Sequence, residues 1–186
     1  MVAARKMMNW GVPLIVSFGL IGLVSEASAG GPWGARVVDA ETGQPLAGVV
    51  VLAWWTRSYP SLGGWAATEY YASEEVVTGP DGRFRIGSRW SYIIPLLFKV
   101  DGPEWRLFKA GYGRWDYGDV ENGERFYGGK EITISLPSLK TREERSAFLQ
   151  APMTVDADIV PLERKLRLLE AVNAERLHLG LQRVPQ

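Results

Sequence analysis

The segment GVVVLAWWT, residues 48–56, constrains this chain more than any other. Its β-branched and aromatic residues favour a strand, and a strand sends alternate side chains to opposite faces. Val49, Val51, Ala53 and Trp55 then share one face, and Val50, Leu52 and Trp54 share the other. Both sets are apolar. Leaving either in water forfeits about 1.5–3 kcal/mol per large side chain. The segment therefore predicts a central strand covered on both sides.

Shorter strand candidates flank it: ARVVDA (35–40), TEYYASEEVVT (68–78), GRFRIGS (82–88), LLFKV (96–100), WRLFKA (105–110) and EITISL (131–136). Turn signals separate them at Glu41-Thr42-Gly43-Gln44-Pro45, Gly63-Gly64, Pro80-Asp81-Gly82, Asp101-Gly102-Pro103 and Gly128-Gly129. Seven or so short strands at this spacing predict an antiparallel β-sandwich rather than a parallel α/β sheet. The segment 56–71 is too long for a tight connection and reads as an insertion.

From Ser138 onward the pattern turns helical. Thr141 followed by Glu144 is a capping-box signature for a short helix over 142–150. Pro161 opens a longer helix that runs to Leu179, with Gly180 as its stop. Leu162, Leu166, Leu169 and Val172 make its apolar stripe, which suits docking on the chain's own domain or on a partner. Glu163 and Arg167 support the opposite face.

Residues 1–29 read as a signal peptide. Arg5 and Lys6 precede the apolar run 11–24, and Ala27-Ser28-Ala29 supplies the small residues for cleavage before Gly30. The expected location is periplasmic or secreted. An uncleaved segment would anchor the chain, and that is the one route by which the sequence implies a membrane. Removing 29 of the 186 residues leaves 157, enough for one domain, 30–137, and a helical extension, 138–186. The mature chain would carry 19 basic and 20 acidic groups once Arg5, Lys6 and Glu26 leave the 21 of each sign. That near-balance gives no electrostatic footprint for nucleic acid. With no cysteine, neither disulfides nor Cys-based metal sites contribute.

Three segments together resemble the carboxypeptidase regulatory-like domain family. They are ARVVDAETGQPLAGVVVLAWW (35–55), EVVTGPDGRFRI (75–86) and LFKAGYGRW (107–115). The matching positions are Val37 and Asp39; Thr42, Gly43, Pro45, Leu46 and Gly48; Thr78, Asp81, Gly82 and Phe84; and Gly111-Tyr112. The resemblance covers 35–136 and implies a transthyretin-like (prealbumin-type) sandwich. Ala35 stands where the family often has glycine, and the tail after 138 lies outside the domain. The family's domain is usually an accessory, so the resemblance supplies no catalytic residue.

The residues themselves also argue against an enzyme. Asp81 follows proline and precedes glycine, which is the chemistry of a hairpin corner. His178 is the single histidine, and no G-x-S-x-G elbow or D-x-[DN]-x-[DN]-G calcium loop occurs. Zinc sites need several His or Cys ligands. The carboxylate pairs Asp116/Asp119 and Glu69/Glu74 are the remaining acid–base candidates, on which the weaker alternative of an uncharacterised hydrolase would rest. No catalytic group, cofactor or metal is expected.

Eight tryptophans stand out in a chain of this length. Trp54 and Trp55 read as core. Trp65, Tyr70, Tyr71, Trp90, Tyr92, Tyr112, Trp115 and Tyr117 fall in expected loops. They either close the ends of the sandwich or form a binding surface. The chain is thus expected to be an exported, non-catalytic binding or structural module of the cell envelope. A protein partner would contact the Leu162–Val172 stripe or the 57–72 insertion, and a glycan would stack on the loop aromatics. On that reading, deleting 138–186 would leave the sandwich folded.

Overall fold

Strand β3 (Val50–Ser61) is central, and both its faces are covered over its first seven residues, Val50 to Thr56. A computed structural model describes residues 28–91, 98–115, 132–151 and 157–184. Among these the chain is mainly β and ends in helices. The other strands are β1 (Ser28–Gly30), β2 (Trp33–Asp39), β4 (Gly64–Val77), β5 (Arg83–Ile86), β6 (Arg89–Ser91), β7 (Lys99–Phe108) and β8 (Ile132–Leu136). The helices are α1 (Arg142–Gln150) and α2 (Leu166–His178). β3 lies between antiparallel β4 and β7. β2 lies between antiparallel β5 and parallel β8, and β1 pairs with β6. The leader expectation lies outside the described residues up to position 27. β1 straddles the expected cleavage point, so cleavage before Gly30 would remove Ser28 and Ala29 from that pairing.

The alternation of β3 divides the core in two. Val49, Val51, Ala53 and Trp55 join Trp33, Val37, Phe84, Ile86, Ile134 and Leu136 from the β5–β2–β8 sheet. The Trp33 and Trp55 rings lie 5.4 Å apart and tilted by 55°, a favourable aromatic geometry. Val50, Leu52 and Trp54 instead meet Phe108, Leu149, Val160, Leu168, Val172 and Leu179. The helical tail is therefore the second cover of β3.

Helix α1 spans the expected residues, and its capping box is formed: Thr141 Oγ1 accepts from the Glu144 amide at 3.1 Å, and Glu144 Oε2 accepts from the Thr141 amide at 3.0 Å. The second helix departs from expectation. A 3-10 turn occupies Leu162–Arg164, and Lys165, at φ −136°, breaks the helix before Leu166. That break changes the phase of the apolar stripe. Leu169 and Val172 are buried as expected and Leu168 joins them, whereas Leu162 and Leu166 stay 44% and 49% exposed. Glu163 and Arg167 are not on one continuous helix. The start of α2 has no cap of its own, and Glu75 of β4 provides one. Its carboxylate accepts from the Arg167 amide at 3.1 Å and the Leu168 amide at 2.9 Å.

Two further expectations need correction. LLFKV and WRLFKA do not form two strands around an Asp-Gly-Pro turn, because β7 runs through Asp101-Gly102-Pro103. Trp54 faces Glu104 and Thr56 faces Asp101, so Gly102 and Pro103 oppose the single Trp55. This is a β-bulge, a place where sheets accept proline. Gly102, at φ +120°, permits it; a Cβ there would sit 2.9 Å from the Trp54 carbonyl oxygen. Nor is 56–71 an insertion. β3 continues to Ser61, turns at Leu62-Gly63 and returns as β4 from Gly64.

The Thr42-Gly43-Gln44-Pro45 turn is held by Asp39. Its Oδ1 accepts from the amides of Glu41 at 2.9 Å and Thr42 at 2.8 Å, and its Oδ2 takes the Tyr112 hydroxyl at 3.0 Å. The Thr42 amide first, against desolvation, and then Tyr112 hold this carboxyl below its ordinary range. A carboxyl depressed on folding stabilises above its unfolded pKa, about 3.9, and loses that stabilisation as pH falls through its folded value. Asp39→Asn is accordingly expected to lower the urea midpoint at pH 7 and to flatten its decline below about pH 4. An unchanged acid limb would remove Asp39 from the account.

Candidate functional site

Strand pairing separates the β3–β4 hairpin into two parts. Its base is flanked by β7, whose described pairing ends at Ser58 with Lys99. Beyond that, Tyr59 pairs with Ala66, Pro60 with Trp65 and Ser61 with Gly64. The sequence permits this extension because Arg57, Ser58, Tyr59 and Thr68 are polar or amphipathic. Pro60 lacks an amide donor, and it follows the register shift between Ser58 and Tyr59, an irregularity of the kind where strands accept proline. At the tip Ser61 Oγ donates to the Gly64 carbonyl at 2.9 Å, and Leu62 is fully exposed.

A polar cluster braces the neck. Arg57 Nη2 and the Tyr59 hydroxyl both donate to Glu69 Oε2, each at 3.0 Å. The Arg57 guanidinium also lies 5.2 Å from the Tyr59 ring centre and 5.7 Å from that of Phe98. The Arg57 bond first, then that from Tyr59, hold the Glu69 carboxyl below its ordinary range. Desolvation and the bond to Glu69 push the Tyr59 hydroxyl up. Beside them Asp101 accepts from Ser58 at 3.3 Å and Lys99 at 3.2 Å. The outer part of the hairpin thus has a cross-linked neck beneath its apolar tip.

The four aromatic candidates whose side chains are described, Tyr70, Tyr71, Tyr112 and Trp115, do not converge on this tip. Trp65 is in β4, opposite Pro60, and Trp90 in β6, opposite Ala29; their side chains lie outside the described set. Tyr92 and Tyr117 fall outside the described residues. Tyr70 is half-buried with its hydroxyl 3.0 Å from Ser73 Oγ, while Tyr71 is 37% exposed. Tyr112 is half-buried on Asp39, and Trp115, 6% exposed, packs in the inter-sheet core. Trp115 also lines a cleft of about 320 Å³ along β7, with Trp54, Glu104, Trp105, Arg106 and Arg114.

Of the acid–base candidates, the described Glu69 and Glu74 lie along β4, opposite Arg57 and Ala53 of β3. Glu69 is engaged by Arg57 and Tyr59, and Asp116 and Asp119 fall outside the described residues. Asp81 occupies a tight corner: its Oδ1 accepts from the Arg83 amide at 3.1 Å, and Gly82 follows at φ +75°. A Cβ on Gly82 would collide with the Val37 carbonyl. His178 is exposed at the end of α2. Among the described residues no cluster of His, Cys, Asp and Glu could hold a metal ion, and no helix is long and apolar enough to cross a membrane.

Sequence reasoning missed the hairpin extension although its signal was present. Gly63-Gly64 marks the turn, and polar alternation continues on both sides of it. No family model, curated protein or solved structure matches the chain.

Proposed function

We propose that this chain is an exported, non-catalytic interaction module of the cell envelope, built on a transthyretin-type β-sandwich, and that the β3–β4 hairpin tip is its contact with a protein partner. The observation that carries the reading is the braced hairpin, which ends in the fully exposed Leu62. A two-stranded hairpin is marginal in water by its own pairing alone. Here a charged and aromatic cluster ties the two strands together, and pre-ordering of this kind lowers the cost of binding. The tail is the weaker contact candidate, because Leu169 and Val172 are already buried.

Leu62→Ser tests the tip without touching the core. The expected result is a tenfold or greater loss of partner capture in native cells, equivalent to about 1.4 kcal/mol, with an unchanged thermal midpoint. Capture at the wild-type level would exclude the tip.

A further inference from the structure

The helices cover the outer face of the β4–β3–β7 sheet, and the opposite outer face belongs to β5–β2–β8. Strand alternation assigns its residues. Trp33, Ala35, Val37, Phe84 and Ile86 enter the core, so Gly34, Arg36, Arg83 and Arg85 lie on the outer face. Arg36 is directly opposite Arg83, and Arg85 is directly opposite Gly34. Three guanidinium groups therefore share a patch beside a position with no side chain. Arg83 and Arg85 are exposed and Arg36 is half-buried.

Like charges directly opposite each other weaken a sheet. Edge strands often carry charge to prevent pairing with other chains, which accounts for Arg83 and Arg85 on β5. It does not account for Arg36, which is on the middle strand. Neither Arg36 nor Arg85 has an acidic partner among the described residues. The Asp81 carboxylate is 3.7 Å from Arg83 in an exposed contact, and the Asp81 backbone carbonyl accepts from Arg36 Nε at 3.3 Å. The chain's formal net charge is zero, so this patch is a local asymmetry and not part of a generally basic surface.

We propose that this face binds an extended acidic peptide segment of a partner protein, with its carboxylates taken by Arg36, Arg83 and Arg85. Arg83 and Arg85 are two residues apart on one strand, about 6.8 Å along it. An extended peptide presents alternate side chains at the same repeat, so Glu-Xaa-Glu fits the pair. The planar guanidinium fork suits carboxylates in particular. The inference stands independently of the hairpin tip.

Fluorescence anisotropy of a labelled octapeptide of alternating Glu and Thr, titrated with the full chain, tests it. Saturable binding is expected, weakened by salt and at least tenfold weaker in the Arg36→Gln/Arg85→Gln double variant. The double variant should melt at or above the wild-type temperature, because opposed like charges have been removed. Arg167→Gln/Arg183→Gln, the same charge change on the exposed tail, should bind as wild type does. Equal binding of a Lys-Thr octapeptide, or wild-type affinity in the Arg36/Arg85 variant, would overturn the proposal. So would tight binding of an oligogalacturonate without the peptide, which would assign the face to an anionic glycan.

Discussion

Removal of residues 138–186 is expected to leave a chain that no longer holds its fold as a soluble monomer. Val50, Leu52, Trp54 and Phe108 are buried in the cluster formed with Leu149, Val160, Leu168 and Val172. Exposing four large apolar side chains costs on the order of 6–12 kcal/mol at about 1.5–3 kcal/mol each. A whole domain is stable by only about 5–15 kcal/mol. The loss is thus comparable to the total, and the exposed sheet face would invite association. This reverses the expectation that the tail is dispensable to the fold. Urea denaturation and size-exclusion chromatography of the truncated chain check it. A monomer with the wild-type midpoint would show that the tail contributes nothing to β3.

Arg145→Ala is expected to produce the largest effect of any single substitution in the tail. Arg145 of α1 bonds Glu175 of α2 through Nε at 2.6 Å and also through Nη2. The Glu175 side chain is only 6% exposed. Removing the arginine strands a buried carboxylate, and breaking such a pair typically costs about 3–5 kcal/mol. The double variant Arg145→Met/Glu175→Leu should recover much of that loss, because an apolar pair of similar volume often replaces a buried ion pair without penalty. A double-mutant cycle on urea midpoints measures the coupling. A cost below about 1 kcal/mol for Arg145→Ala would place the pair with ordinary surface salt bridges.

Features governed by neighbours in sequence were legible; those governed by distant partners were not. The two-faced β3 follows from a run of nine residues, and the α1 capping box from two residues three apart. Gly102-Pro103 has the local chemistry of a turn; only pairing with Trp54–Thr56 makes it a bulge. The break at Lys165 has no proline or glycine to mark it. It sits where Glu75, far away on β4, caps the next helix. Tryptophan in expected loops was ambiguous for a related reason: burial of Trp115 depends on the sheets it packs between, which its neighbours in sequence do not reveal.

Site-specific photocrosslinking in native cells, with the reactive residue placed at position 62 and separately at position 172, tests the central functional claim most directly. The account predicts a discrete intermolecular protein adduct from the hairpin tip and only intrachain products from Val172, which is buried against the sheet. An adduct from position 172 with none from position 62 would contradict it, because the tail and not the hairpin would then be the contact.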